Sequence, residues 1–204
     1  MKTHQSLMNT ELHEMIQSYF DHCYGSLAYE IKQSIFSKSN EIYGELYYYS
    51  VVQLLKYLHL TEKDHFLDVG SGLGKIVFQV FLTTPVGSVT GIEINTQRHF
   101  IACEIKKMIE KNLPEAFNHQ KLYLIHDDFL KIDFHNITVV YVCSTVFSFE
   151  LLSNMGSQIN SMPNVQTVVS FRKLPGLDNF KLIRKMFFQA SWDYTSCYLY
   201  TRKR

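Results

Sequence analysis

Residues 66–75 read FLDVGSGLGK, and this stretch decides the fold. An apolar run that contains one acid, Asp68, is followed by glycines at positions 70, 72 and 74. Glycine lets the backbone turn sharply and approach a ligand closely, because it has no Cβ atom. The stretch therefore predicts a strand that ends in a ligand-binding turn, with a helix after it.

The spacing of the glycines excludes two common phosphate-binding loops. A dinucleotide loop requires G-x-G-x-x-G, and that pattern would place Lys75 where the third glycine belongs. A P-loop requires G-K-[ST], but Ile76 follows Lys75. What remains is D-x-G-x-G-x-G, in which the acid suits a ligand with an ammonium group better than a ligand with two phosphates.

From residue 65 the chain alternates between candidate strands and candidate helices, which predicts right-handed βαβ units and a parallel sheet. Two final strands, QASWDY (189–194) and SCYLYTR (196–202), are too close for a crossover helix and should form an antiparallel hairpin. The predicted fold is α/β and Rossmann-like, a mostly parallel seven-stranded sheet with a C-terminal hairpin, as in class I S-adenosylmethionine-dependent methyltransferases. The other candidate strands are 65–69, 88–94, 121–126, 138–143 and 165–171, and the helices are 75–83, 96–112, 147–161 and 177–187.

The segment before this alternation is predicted to be helical. Apolar residues between Leu12 and Phe20 recur at helical spacing, Gly25 interrupts the pattern, and a second helix is expected around residues 28–35. The polar stretch SKSNEIYGE (37–45) predicts a loop before a third helix. We therefore expect residues 1–60 to supply a helical segment with a lid loop and residues 61–204 the ligand-binding core, as one folding unit.

Composition and charge exclude several classes of protein. Net charge is +1, so nothing in the bulk electrostatics indicates nucleic-acid or membrane binding. No apolar run approaches the roughly 20 residues of a membrane span, and the polar N-terminus does not read as a signal peptide. The four cysteines lack metal-ligand spacing, so we expect no metal site. Reduced thiols favour a cytoplasmic location, in the producing cell or in a host cell that receives the protein.

Two further acids follow the next strands in the chain. Glu93 ends the second strand, where an acid can accept hydrogen bonds from both ribose hydroxyls of a nucleoside. Asp128 follows the third strand and can accept from an adenine amino group, while the ring of Phe129 can pack on the base. Three such elements at successive strand ends predict S-adenosylmethionine, whose methionine portion carries the ammonium group. His126, beside the adenine motif, is expected to be structural.

Several stretches form a longer pattern beyond the glycine loop. They are Y-G-E (43–45), FLDVGSGLGK, Glu93, DFL (128–130), VVYVCSTVFSFEL (139–151) and Ser191-Trp192 followed by CYLYT. Over residues 40–202 this pattern resembles the non-SET histone lysine methyltransferases, the disruptor-of-telomeric-silencing (Dot-one) family. The glycine loop is common to many methyltransferases, whereas Y-G-E and S-W…Y-L-x-T are more specific to this family.

The resemblance implies a role for each of these stretches in binding the methyl donor. Tyr43, Gly44 and Glu45 would fold over the donor as a lid. Glu93 would hold the ribose, and Asp128 with Phe129 would bind the adenine. The region of the glycine loop would hold the methionine portion through Phe66, Asp68, Gly70, Ser71, Gly72, Gly74 and Lys75.

The activity that the resemblance implies is protein-lysine N-methylation, by in-line transfer to a deprotonated amine. No general base is evident, so most of the catalysis should come from positioning. An apolar channel would lower the pKa of the lysine amine, and aromatic rings would orient it by cation–π contact. The residues expected to line this channel are Cys143, Ser144, Phe147, Trp192 and Tyr198.

The sequence departs from the family pattern at four points. Cys143 and Ser144 replace two asparagines after the fourth strand, Lys75 replaces a glutamine, and Leu46 replaces the threonine of Y-G-E-T. The basic extension that grips nucleosomal DNA also has no match here. We therefore expect a protein substrate but no stable binding to nucleosomes, DNA or membranes.

Two other functions stay open at this point. A small-molecule or nucleic-acid methyltransferase would use the same donor, although the chain lacks the D/N-P-P-[YF] motif typical of adenine and exocyclic-amine methylation. A cofactor-binding protein without transferase activity is the other, because Cys143 and Ser144 stand where the family has asparagines.

Overall fold

The computed structural model describes residues 4–35, 45–145 and 147–204. Within these residues, seven strands form one sheet in the order β3-β2-β1-β4-β5-β7-β6. β1 to β5 are parallel, and β7 runs antiparallel to both β5 and β6, which confirms the predicted fold class. The strands are β1 (His65–Val69), β2 (Ser88–Glu93), β3 (Lys121–His126), β4 (Val139–Val142), β5 (Thr167–Ser170), β6 (Phe180–Gln189) and β7 (Tyr194–Arg202).

Helices pack around this sheet. In the described ranges they are α1 (His4–Ile35), α2 (Tyr48–Leu58), α3 (Lys75–Thr83), α4 (Thr96–Asn112) and α5 (Phe149–Ser161), with short 3₁₀ helices at Pro114–Phe117 and Phe129–Lys131. Of the helices described, none combines the length and the apolar character needed to cross a membrane.

The central strands are buried on both faces, as expected for a parallel sheet. Alternate side chains of a strand point to opposite faces, so Phe66 and Leu67 of β1 belong to different hydrophobic clusters. The cluster around Phe66 includes Ile105 of α4, and the cluster around Leu67 includes Leu152 of α5. Because both faces are filled, the carboxyl ends of the strands are where a ligand can reach polar groups.

The N-terminal helices differ from the prediction. We expected two helices separated at Gly25 and Ser26, but α1 is continuous through both residues. A glycine inside a helix costs only about 1 kcal/mol relative to alanine. Ile16, Phe20 and Cys23 of α1 are buried in the core cluster of Phe66, and this packing outweighs the local cost. Gly25 and Ser26 therefore weaken the helix locally but do not end it.

The helix predicted at 177–187 is wrong, because that stretch forms most of β6. β6 pairs with β7 from Phe180↔Arg202 to Gln189↔Tyr194, so the hairpin is confirmed but its first strand precedes the predicted 189–194. β6 lies at the edge of the sheet and most of its side chains are exposed, so the period of two is lost. Pairing with β7, which no local pattern reveals, decides the structure.

The remaining elements follow the prediction. The third helix and the helices at 75–83 and 96–112 are confirmed as α2, α3 and α4, while α5 begins at 149 rather than 147. The bounds of β1 to β5 agree with the predicted strands to within two residues. The predicted loop at 37–45 lies outside the described residues except for Glu45, and so do Tyr43 and Gly44 of the expected lid.

Candidate active site

The glycine loop connects β1 to α3 and is the centre of the candidate site. Its backbone has φ values of 75° at Gly70, 56° at Gly72 and 82° at Gly74. A Cβ atom on Gly74 would also lie 2.6 Å from the ring of Phe78, so a larger residue would clash. The N–H of Gly70 donates to the carbonyl of Ile92 at 2.9 Å, which fixes the loop against the end of β2.

Glu93 ends β2 beneath this loop and is 5% exposed. Its Oε2 accepts from the N–H of Gly72 at 2.7 Å, and its Oε1 accepts from the N–H of Asn95 at 2.8 Å. These two backbone donors fix the position of the carboxylate. Each oxygen can accept one more hydrogen bond, so Glu93 keeps the capacity to bind two hydroxyls of a ligand.

Asp68 lies in β1 just before the loop and is 2% exposed. Its Oδ1 has no hydrogen-bond partner within the part of the chain that the structure describes. Burial, and then the negative charge of Glu93, raise the pKa of Asp68 well above its ordinary value. A buried carboxyl without compensation destabilises the fold, and such groups concentrate at ligand sites. An ammonium group would satisfy both the oxygen and the charge.

A small cavity of about 30 Å³ opens beside Asp68. Phe66, which was predicted to contact the donor, is 1% exposed and packs in the core, with its ring centroid 6.1 Å from that of Tyr141. The cavity brings six of the predicted site residues together with three others. Its lining is Glu45, Leu46, Asp68, Gly70, Ser71, Lys75, Ile76, Tyr141 and Cys143.

Lys75, the first residue of α3, links the loop to the N-terminal part of the chain. Its Nζ forms an ion pair with Oε1 of Glu45 and lies 5.0 Å from the centroid of the Tyr24 ring. The hydroxyl of Tyr24 donates to the carbonyl of Leu73 at 3.1 Å. Sequence reasoning missed Tyr24, because a contact across 49 positions leaves no local signal.

Glu45 of the Y-G-E motif and Ser191 of the S-W motif contact each other. The N–H of Glu45 donates to Oγ of Ser191 at 3.2 Å, and the N–H of Ser191 donates to the carbonyl of Glu45 at 2.9 Å. Leu46 and Ala190 form an antiparallel bridge next to them. Tyr47, rather than Glu45, occupies the N-cap position of α2. Glu45 is therefore oriented by the C-terminal hairpin.

Asp128 and Phe129 follow β3 as expected, and both have structural contacts. Oδ1 of Asp128 accepts from the N–H of Leu130 at 3.0 Å and caps the short 3₁₀ helix. The ring of Phe129 is 5% exposed and stacks on Phe134 with centroids 5.9 Å apart. The Nε2–H of His126 donates to the carbonyl of Ile94 at 3.1 Å. Adenine binding by Asp128 and Phe129 stays a prediction.

Ser144 has a structural role at the ends of β4 and β5. It is fully buried, and its Oγ accepts from the N–H groups of Phe171 at 3.1 Å and Arg172 at 2.9 Å. The same Oγ lies 2.9 Å from Oγ of Ser170. These three hydrogen bonds use all the donor and acceptor capacity of the hydroxyl. Ser144 therefore fixes the backbone under the predicted channel instead of contacting a substrate.

Cys143 lines the cavity next to Asp68. Burial, and then the proximity of Asp68, raise the pKa of the Cys143 thiol to about 12. The thiol therefore stays protonated at neutral pH and serves as neither a nucleophile nor a base. It contributes a small apolar wall to the site.

Aromatic side chains lie around the carboxyl edge of the sheet. Phe147 follows β4, and its ring would be 3.3 Å from a Cβ atom on Gly70, so it covers the glycine loop. Trp192 is 42% exposed in the turn between β6 and β7. Phe149 and Tyr194, which sequence reasoning missed, are 71% and 69% exposed at the same edge.

The model of a family described as "Histone methylation protein DOT1" matches residues 28–186. The chain belongs to this family. The match spans the glycine loop, Glu93, the Asp128 motif and all strands through β5, and so confirms the resemblance that the motifs indicated.

Two curated DOT1-type relatives are similar over parts of their length. Both are named "Histone-lysine N-methyltransferase, H3 lysine-79 specific". The Drosophila melanogaster protein is 42% identical over 55 residues, which cover 27% of this chain and 3% of that protein. The Caenorhabditis elegans protein is 23% identical over 157 residues, which cover 74% of this chain and 17% of that protein. The chain thus spans a small part of the relatives it matches.

Solved structures similar to this DOT1-family chain show the class I methyltransferase fold. TrmK of M. capricolum, in complex with S-adenosyl-homocysteine, has a TM-score of 0.55 and 13% identity, over 76% of this chain and 68% of that one. An RNA methyltransferase from Salinibacter ruber, in complex with S-adenosyl-L-homocysteine, has a TM-score of 0.54 and 20% identity, over 76% and 90% of the two chains. At such identities the likeness shows the fold alone.

Proposed function

We propose that this DOT1-family protein is an S-adenosylmethionine-dependent methyltransferase that acts on lysine side chains of proteins. The observation that carries the proposal is Asp68, a buried carboxyl with an unsatisfied oxygen beside a loop of three left-handed glycines. The family match supports the same donor and the same class of acceptor.

The residues around the cavity fit the groups that such a donor presents. Asp68 would pair with the ammonium group of its methionine portion, and the open glycine backbone would admit that portion without a clash. Glu93 would accept from the ribose hydroxyls with the lone pairs that Gly72 and Asn95 leave available. Asp128 would take part in binding the adenine. When bound, the donor supplies a methyl group on a sulfonium sulfur.

The chain's own contribution to the transfer is to position and neutralise the acceptor amine. A lysine has an ordinary pKa of about 10.4 and must lose a proton before it can attack. An environment of Phe147 and the neutral thiol of Cys143 disfavours the charged amine and lowers its pKa. Exposed rings at the rim, Trp192 and Tyr194, would collect and orient the side chain by cation–π contact.

The protein-lysine acceptor is supported by the family match over residues 28–186 and by the two histone-lysine methyltransferase relatives. The proposal includes a protein acceptor in the reducing cytoplasm, either in the producing cell or in a host cell. It includes no stable binding to nucleosomes, because the net charge is only +1.

Radiolabelled donor and a fractionated cell lysate test this function. We expect label in protein bands and, after hydrolysis, in methylated lysine, with Glu93→Ala reducing the label strongly. Core histones added as a purified acceptor show whether they are among the substrates. Label in RNA or in the small-molecule fraction would contradict the proposal, and so would donor binding without transfer to any fraction.

A further inference from the structure

Positive charge is concentrated in three neighbouring elements, α2, β6 and β7. They contain five cations, Lys56, Lys181, Arg184, Lys185 and Arg202, and their sequences contain no Asp or Glu. Over the whole chain, 20 Lys and Arg nearly balance 19 Asp and Glu. These three elements are therefore much more positive than the chain as a whole. A local excess of one sign creates a positive potential that the net charge conceals.

Apolar side chains are exposed among these cations on β6. Leu182 is 47% exposed, Ile183 is 53% exposed and Phe187 is 63% exposed. β6 is the last strand in the order of the sheet, so no further strand pairs with its outer edge among the described residues. At the end of β6, the carbonyl of Gln189 accepts from the N–H of Tyr47 and the hydroxyl of Ser50. Cations alone would be enough to protect an edge strand from aggregation. Cations interspersed with exposed aliphatic and aromatic residues indicate a binding surface.

A groove of about 460 Å³ runs between α2 and β6, and we call it the basic groove. The guanidinium of Arg184 lies 5.1 Å from the Tyr57 ring, and Nζ of Lys185 lies 5.0 Å from the Phe187 ring. These contacts hold the cations over apolar surface. The lining of the basic groove is Gln53, Lys56, Tyr57, Met186, Phe187 and Phe188.

We propose that the basic groove binds an acidic, extended segment of the protein substrate. Carboxylates on one side of the segment would pair with Lys56 and Arg184, because Arg184 lies on the face of β6 that contacts α2. Apolar residues on the other side of the segment would cover Phe187 and Leu182 on the opposite face of β6. Its backbone would form hydrogen bonds with the outer side of β6, as peptides do when they add a strand to a sheet. Side chains of such a strand alternate, so acidic and apolar residues should alternate in the segment.

The basic groove leads to the candidate active site. β6 ends at Gln189, and the next two residues, Ala190 and Ser191, contact Leu46 and Glu45. Glu45 in turn pairs with Lys75 at the glycine loop. A segment bound along β6 therefore holds the adjoining part of the substrate near the methyl donor. This inference rests on the proposed function, since it assigns a sequence preference to the protein acceptor.

A nucleic acid would also match the charge, but it fits the surface less well. A base could stack on the exposed ring of Phe187, but the exposed aliphatic side chains of Leu182 and Ile183 offer no stacking surface for further bases. The peptide uses both the charged and the apolar part of the basic groove.

Fluorescence anisotropy with the full chain and no donor tests the inference directly. The probe is a fluorescein-labelled peptide of alternating Glu and Val, about ten residues long, and the control probe has Gln in place of Glu. We expect the Glu peptide to bind at least about tenfold more tightly. The double variant Lys56→Glu/Arg184→Glu should lose that difference. Lys121→Glu, a charge reversal on β3 at the opposite edge of the sheet, should keep it.

Further measurements make the result decisive. The milder variant Lys56→Gln/Arg184→Gln should bind the Glu peptide with intermediate affinity, which guards against misfolding of the charge reversal. Equal binding of the two peptides, or unchanged binding in both double variants, would overturn the proposal. So would tighter binding of a single-stranded RNA or of anionic vesicles that the double variants abolish. Donor affinity, measured separately, should be unchanged in these variants, so failure of the basic groove is distinguishable from failure of the donor site.

Discussion

Asp68 and Glu93 are neighbouring buried carboxyls that differ in their hydrogen bonds. Glu93 accepts two backbone N–H groups, whereas Oδ1 of Asp68 has no partner among the described residues. Burial and the charge of Glu93 therefore raise the pKa of Asp68, and in the folded protein without ligand Asp68 holds its proton well above the usual pH range of a carboxyl. A ligand ammonium would reverse this by stabilising the charged form.

The raised pKa of Asp68 should make the free energy of unfolding depend on pH. Because the folded-state pKa lies above the unfolded one, the folded protein binds more protons between these values, and its stability falls as the pH rises through this window. Asp68→Asn removes the titration while keeping the shape. We expect its free energy of unfolding, relative to wild type, to increase from pH 4 to pH 8 in urea titrations. Asp178→Asn, at an exposed carboxylate, should show no such trend, and an equal offset of Asp68→Asn at every pH would contradict the assignment.

Replacing Ser144 should lower the stability of the fold without changing the affinity for the ligand. Ser144→Ala removes the acceptor for two backbone N–H groups, those of Phe171 and Arg172. Leaving buried donors unsatisfied costs roughly 1–3 kcal/mol each, so we expect a loss of that order in the free energy of unfolding. Affinity for S-adenosylhomocysteine should stay within about twofold of wild type. A variant that keeps its stability and loses affinity would place Ser144 in the ligand site.

At the scale of elements, the ion pair of Lys75 and Glu45 joins the glycine loop to the segment before α2. A double-mutant cycle with Glu45→Gln and Lys75→Gln tests the link. We expect a coupling of about 0.5–1 kcal/mol in the free energy of unfolding, as for partly exposed ion pairs. If the segment before α2 covers the donor, as the resemblance implies, the two single variants and the double variant should weaken donor binding by similar factors. Additive effects in calorimetry would show that the pair does not act as a unit.

The elements that the sequence predicts well are those whose signal is local. FLDVGSGLGK gives β1, the loop and α3 with their bounds, because the buried strand, the glycines and the helical periodicity lie within 20 residues. β6 was mistaken for a helix, because Leu182 and Met186 share helical spacing and pairing with β7 is invisible in the sequence. Likewise the positions of Asp68, Glu93 and Asp128 near strand ends are readable from the sequence, whereas the burial of Phe66 and the backbone bonds of Ser144 depend on the folded chain.

At the scale of the whole molecule, distant parts of the chain meet at the site. Tyr24 comes from α1, Glu45 precedes α2, and Ser191 lies 146 positions later in the C-terminal hairpin. A ligand that contacts the loop inside this frame should stabilise the folded state by mass action. At about 100 times its dissociation constant, S-adenosylhomocysteine should add roughly 2.7 kcal/mol of stability. This corresponds to roughly 5–10 °C in Tm for a domain of this size.

Differential scanning fluorimetry measures this shift. Glu93→Ala should reduce the shift strongly at the same ligand concentration. NADH should produce none, because Lys75 occupies the position of the third glycine of a dinucleotide loop. A comparable shift with NADH would contradict the assignment of the loop.

We propose Asp68 and Glu93, beside the glycine loop, as the methyl-donor site, and isothermal titration calorimetry with S-adenosylmethionine tests this assignment most directly. We predict micromolar binding without added metal, on the order of −7 to −8 kcal/mol. Asp68→Asn and Glu93→Ala should each weaken binding about 10–100-fold, through the loss of a charge-assisted contact worth roughly 1.5–3 kcal/mol. Ser144→Ala should bind like wild type. Wild-type affinity in both carboxyl variants, or no binding to the wild-type protein, would contradict this assignment.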